Sequence, residues 1–461
     1  MDYHEFLKEK EIADQPNGFD VPISKINPKL FDWQKALVRW CLIRGRSALF
    51  ASTGLGKTPM QLVWADTVSK KTKGPVLVLA PLAVSEQTQQ EGKKFDIDSS
   101  VCSSQSDIRQ GINITNYEKL HKFDTSRFPG VVWDESSILK SFGSIRNQVV
   151  EAFRNTPYRL SCTATPSPND WAELGHQSEA LGILTYREML STFFINDSGD
   201  TGKWRLKGHV QDNVFWRWLA SWAAVVAMPS NLGFPDDGFR LPPITYHEHI
   251  IPATGKLKRR GFFIQEVSDM TDRRRVRRDT LSVRCQAAAD LINSTNDIWA
   301  VWCNLNPEGE ALTKLIDGAV EVAGRHDNET KAQRMLDFAN GKIKRIVTKP
   351  EIAGWGMNWQ VCSKAAFVGL NDSWESLFQA IRRIWRYGQT KPVDIHIFIE
   401  EREGPVLANI KRKDAQASEM ALAMADQMKD LTKREVLKAS KEFDSYCPKK
   451  AMEIPVWMKT N

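Results

Sequence analysis

A chain of 461 residues, 42% hydrophobic and 26% charged, has the balance of a soluble globular protein of roughly two to three domains. Its 63 Lys and Arg against 56 Asp and Glu leave +7, a mild basicity that suits a polyanionic partner without requiring one. Seven cysteines with no CxxC pair, and His247 and His249 with no thiol nearby, support neither a zinc site nor a disulfide framework. Reduced core thiols are expected, in an intracellular, cytoplasmic protein: the N-terminus MDYHEFLKEKEIADQ is charged, and no apolar run approaches membrane-spanning length.

Taken in order, Phe31 to Ile43 predicts a core-facing helix, with Leu37, Trp40 and Cys41 at helical spacing. Gln34 stands on its polar side, where an amide offers the donor and acceptor that one edge of adenine would need. A lone Gln is more often a solvated surface residue. Ser47 to Phe50 reads as a short strand, followed by Gly54-Leu55-Gly56-Lys57-Thr58 as a tight turn into a helix. That order is a phosphate cradle: glycines let backbone N–H groups approach phosphate, and the helix N-terminus adds its positive end. With Thr53, these residues form the candidate nucleotide loop, Lys57 reaching the β/γ-phosphates and the Thr58 hydroxyl holding Mg²⁺. Ala51 stands where the first Gly of such a loop is usual.

Pro75 to Pro81 is a continuous apolar run of the kind a buried parallel strand carries. A helix over Val84 to Lys94, a strand after Gly111 and another over Val131 to Trp133 follow. The last ends in Asp134-Glu135, where Asp134 would complete the Mg²⁺ shell and Glu135 would orient or deprotonate an attacking water. Tyr158 to Pro168 is a strand running into small hydroxyl residues. Strand–helix alternation with chemistry at strand ends predicts a doubly wound α/β layout.

Taken together, these stretches resemble a superfamily-two helicase core. Ala51 to Thr58, Asp134-Glu135 and Ser161-Cys162-Thr163-Ala164-Thr165-Pro166 are similar to its motifs I, II and III. Arg345 to Val361 resembles motif V, with Gly356-Met357-Asn358 as its Gly-x-Asn element, and Gln379 to Gln389 resembles motif VI in its Swi/Snf form. The resemblance runs from about Leu30 to Lys413, in a compact core of the kind phages and bacteria encode, and implies two RecA-like doubly wound parallel-sheet domains in tandem. It implies that Gln34 reads adenine and that Arg383 and Arg386 act as arginine fingers. It also implies coupling through Ser161, Thr163, Thr165, Gly356 and Gln379, with DNA contacts at Pro81, Thr115, Asn116 and Asn358. Two departures stand out: Ser136-Ser137 where many relatives have Ala-His, and Arg382 at a place often held by an acid.

The expected organisation is an N-terminal extension (1–29), a first domain (30–245) and a basic connection (246–290). A second domain (291–413), carrying motifs IV to VI, and a C-terminal helical segment (414–461) complete it. Within the first domain, about 171–243 is expected as a helical insertion, its Trp216, Trp218 and Trp222 explained by helix packing. Trp204, between Lys203 and Arg205, is a weaker candidate for stacking on a base. In DRRRVRRDT, Arg277 and Arg278 are candidate contacts to the DNA backbone, a solvated charged face being the plainer alternative. The second half, with no phosphate loop, would close over nucleotide held by the first. The whole reads as an ATP- and Mg²⁺-dependent DNA translocase of Swi/Snf type acting in replication, recombination or repair. A strand-separating or branch-migration helicase and a weakly hydrolysing DNA clamp are the alternatives.

Overall fold

A computed structural model describes residues 14–81, 85–139, 143–167, 170–196, 204–207, 214–252, 278–353, 358–370 and 373–438. The first half of the chain builds a seven-stranded sheet whose paired strands all run parallel. Its strands are β1 (Arg46–Ala51), β2 (Val76–Ala80), β3 (Ser99–Val101), β4 (Ile112–Asn116), β5 (Gly130–Asp134), β6 (Tyr158–Thr163) and, after a small antiparallel ribbon of β7 (Phe194–Asn196) and β8 (Trp204–Leu206), β9 (Ala223–Val226). The order across the sheet is β3-β4-β2-β5-β6-β1-β9. β2, β4 and β5 are buried along their whole length, as apolar strands covered on both faces must be. One face packs on Trp133, Phe153, Phe215, Trp218 and Trp222, and the other on Leu37, Trp40, Leu62 and Trp64.

The stretch expected as a helical insertion does hold helices, over Leu174–Leu181, Tyr186–Phe193 and Val214–Ala220. It also returns β9 to the sheet, pairing Ala48 with Ala223, so its tryptophans are core of the first sheet. Trp204 packs there too, half-buried, so a helix-and-sheet role replaces the base-stacking one.

The second half forms a parallel six-stranded sheet ordered β10-β15-β14-β11-β13-β12. Its strands are β10 (Ile244–Ile251), β11 (Trp299–Cys303), β12 (Ala319–Val322), β13 (Arg345–Thr348), β14 (Lys364–Val368) and β15 (Val393–Glu400). β10 pairs with β15 over eight residues, and the helix Leu281–Asn293 packs on the same sheet. Both overlap the segment expected to be a basic connection, and the sheet of the second domain reaches back to Ile244. Its core holds an ion pair at zero exposure: Arg284 Nη2 donates to Glu308 Oε1 at 2.8 Å, while Glu308 Oε2 accepts from the N–H groups of Asn304 and Leu305. Removing one partner strands a buried charge. Arg284→Met is therefore expected to cost about 3–5 kcal/mol, read as a lower melting temperature of the second domain in calorimetry, and Arg284→Met with Glu308→Leu to recover much of it.

One helix, Gly404–Lys438, ties the halves together. Val406, Leu407 and Ile410 bury in the second sheet's core, while Met424, Ala425, Met428 and Val436 bury in the two cores of the first. Trp374 Nε1 donates to Asp414 at 2.8 Å near one end, and Arg44 pairs with Glu435 at 2.6 Å near the other. All six described cysteines are free and buried, and no helix among the described residues is long and apolar enough to cross a membrane.

Candidate functional site

β1 carries the chain up to the loop before the helix Lys57–Thr72, where Gly54 (φ 91°) and Gly56 (φ 75°) sit in left-handed backbone. A side chain would also have no room there: a Cβ on Gly56 would lie 2.5 Å from Gln34 Nε2, and one on Gly54 2.8 Å from Tyr387 N. Gln34, 4% exposed, spends its amide on this loop, Nε2 donating to Leu55 O at 3.0 Å and Oε1 accepting from Phe31 N at 3.0 Å. The Leu55 side chain is core. Gly56 caps the helix, so the free N–H groups of its first turn face the cleft. Lys57 Nζ donates to Ala51 O at 2.9 Å. Burial pushes the Lys57 ammonium below its ordinary pKa, opposed by the carboxylates of Glu135 and Asp134.

Asp134 ends β5 and is held from two sides. Gln61 Nε2 donates to its Oδ1 at 2.7 Å, and Tyr117 Oη donates to its backbone carbonyl at 2.8 Å. Burial raises the Asp134 carboxyl, with the Gln61 hydrogen bond and the charges of Lys57 and Arg383 pulling it down. Glu135 follows at φ 48°, a left-handed conformation that a side-chain-bearing residue keeps only when its surroundings impose it.

The second domain supplies the opposite wall. Arg383, just past the helix Trp374–Ile381, donates from Nε to Gln379 O and from Nη2 to Gln379 Oε1, both at 3.1 Å. Burial, then the charge of Arg386, pushes Arg383 down to about 9. Arg386 is lowered by burial against the pull of Glu91 and Glu135, and its Nε is buried with no hydrogen-bond partner among the described residues. Lys29, Lys57, Arg383 and Arg386 thus share one cleft of about 260 Å³ with Glu91, Asp134 and Glu135, four cations against three carboxylates. That surplus of positive charge suits a polyanion.

The cleft's far end is aromatic. Tyr387 stacks on Phe239 with ring centroids 4.8 Å apart, and Phe239 meets Phe31 and Trp33 edge-on at 5.4 Å. Phe31, Phe239 and Tyr387 line the cleft together with Gln34, and such faces suit a planar base. Thr53, Gly54, Gly56, Lys57, Thr58, Asp134, Glu135, Gln379, Arg383 and Arg386 line it as well.

Asn358, expected on DNA, also lines this cleft, and its Nδ2 reaches Glu91 Oε1 of the first domain at 3.4 Å. Thr115 and Asn116 are buried at 1% and 4% exposure, and Asn116 Oδ1 caps the following turn by accepting from Lys119 N. Both side chains are committed to the interior, not held out toward a polymer. Pro81 is half-buried at the end of β2, and Arg278 is exposed. Gly356 and Arg277 lie outside the described residues. Thr163 Oγ1 accepts from Thr165 N at 3.1 Å, and Ser161 is fully buried in β6. Glu91, Phe239 and Tyr387, which line the cleft, went unremarked in the sequence, as did Gln61, buried behind Asp134. Gln61 was within reach, four residues past Lys57 and so on the same helix face.

Residues 28–168 match the family described as the res subunit of type III restriction enzymes. Among solved structures, S. cerevisiae Dbp5 bound to RNA and ADP BeF3 is similar at 13% identity and a TM-score of 0.53, covering 88% of this chain and 93% of that one. A single-residue variant of Dbp5, also bound to RNA and ADP BeF3, is similar at 12% identity and the same TM-score, covering 86% and 93%. The fold, two parallel-sheet α/β domains in tandem, matches the RecA-like domain pair of those structures. No curated protein matches the chain by sequence.

Proposed function

We propose that this chain is an ATP-driven motor on nucleic acid, a DNA translocase of Swi/Snf type. The observation that carries the reading is the shared cleft: Lys57 and Thr58 from one domain and Arg383 and Arg386 from the other face the same space, with Gly54 packed against Tyr387. Lys57 and the helix N-terminus hold the phosphates, the aromatic end takes the base beside a loop that Gln34 braces, and Glu135 orients water. Thr58 and Asp134 offer the hydroxyl and carboxylate oxygens that suit Mg²⁺, which would neutralise developing negative charge there. Arg383 and Arg386 complete the site only while the domains are closed, so hydrolysis and domain movement are one event. DNA is chosen over RNA on the Gln379 to Gln389 stretch, whose Swi/Snf form carries the resemblance.

The test is ATPase activity across duplex, single-stranded and forked DNA and single-stranded RNA, beside strand-separation and triplex-displacement assays. Duplex DNA should stimulate most, with triplex displacement and little unwinding; stimulation by RNA alone would overturn the DNA assignment. A motor must step over every sequence, so affinity should show little base preference. It should also fall steeply with salt, at a log–log slope of about −0.9 per phosphate contacted on duplex DNA.

A further inference from the structure

We propose that Gln177, outside every helicase-like motif, is the positioning residue that links the motif III strand to the water-orienting Glu135. Gln177 lies on the helix Leu174–Leu181 at zero exposure, and both ends of its amide are engaged. Ser161 Oγ donates to Gln177 Oε1 at 2.6 Å, and Gln177 Nε2 donates to the Ser136 carbonyl at 2.7 Å. The amide cannot be turned over, because only its NH₂ can meet a carbonyl. Ser161 and Ser136 are themselves at zero exposure, so no water competes for either bond.

The Ser136 carbonyl lies one residue past Glu135, whose left-handed backbone is a conformation its surroundings must hold. Gln177 is one of the groups holding it. Through Ser161 the same amide reads the position of β6, which runs on into Thr163 and Thr165. A displacement of that strand end therefore reaches Glu135 through two hydrogen bonds and one side chain.

The inference rests on the ATPase reading above. Its test is Gln177→Met, which keeps the volume and removes both hydrogen bonds. KM for ATP should stay near wild type, and the basal ATPase rate should fall less than the stimulated one. The ratio of polynucleotide-saturated to basal kcat should fall by roughly two- to thirtyfold, the span of measured coupling energies. Gln177→Glu supplies a second measurement that also serves if the Met variant fails to fold. Its carboxylate accepts from Ser161 but cannot donate to the Ser136 carbonyl until protonated, and burial raises that protonation into a workable range. Stimulation in Gln177→Glu should therefore recover as pH falls from 8 to 6, measured against wild type at each pH. Full stimulation in Gln177→Met, or an equal loss of basal and stimulated rates, overturns the proposal. Absence of ATPase activity in the wild-type protein would instead overturn the functional reading on which it rests.

Discussion

Arg386→Ala is expected to lower ATP turnover by up to about three to five decades, the range measured for arginine fingers, while changing ATP affinity far less. Arg386 Nε is already desolvated and without a hydrogen-bond partner among the described residues, and burial lowers the guanidinium's pKa. The cost of bringing its Nε out of water is thus met in the folded structure, before any negative charge develops opposite it. Arg386→Lys should recover little, since an ammonium lacks the planar fork. Single-turnover hydrolysis and equilibrium nucleotide binding, measured on the same variants, check this. A loss of affinity as large as the loss of turnover would make Arg386 a ground-state clamp.

Lys57→Ala should reduce hydrolysis by about two to three decades, the usual cost of one preorganised electrostatic group, and leave nucleic-acid affinity without nucleotide near wild type. Lys57 is held by the Ala51 carbonyl at 2.9 Å, at the mouth of the loop, and burial works against its charge. A phosphate would relieve that burial as well as bind, so nucleotide affinity should fall together with rate. Substantial turnover in the variant would mean that this loop is not the phosphate site.

The candidate site was legible where the chemistry is local in sequence. Gly54 to Thr58 and Asp134-Glu135 each form one turn or one strand end, so spacing alone brings their groups together. Buried parallel strands were legible for a similar reason: β2 is an unbroken apolar run, and β5 is apolar up to the Asp134 that ends it. β10 was not, because ITYHEHII mixes His and Glu into an edge strand covered on one side. β9 was hidden in an aromatic stretch whose helical spacing dominates it. Phe239 sits in a loop with no period, and only the tertiary fold carries it to Tyr387. Thr115 and Asn116 show the converse: motif position put them at a strand end, but the local turn uses Asn116 as a cap.

The helix Gly404–Lys438 sets the mechanics of any motion between the halves. At 1.5 Å per residue its 35 residues span about 50 Å, and each end is rooted in a different core. Between Asp414 and Met424, about 15 Å of helix with Leu422 exposed, none of the described side chains is a buried anchor. This strut makes free separation of the halves impossible without unseating a core. Opening the cleft must instead twist or bow that short span, as a torsion bar does. A helix seated in both cores would thus tie any change in the cleft to a deformation of its own short middle.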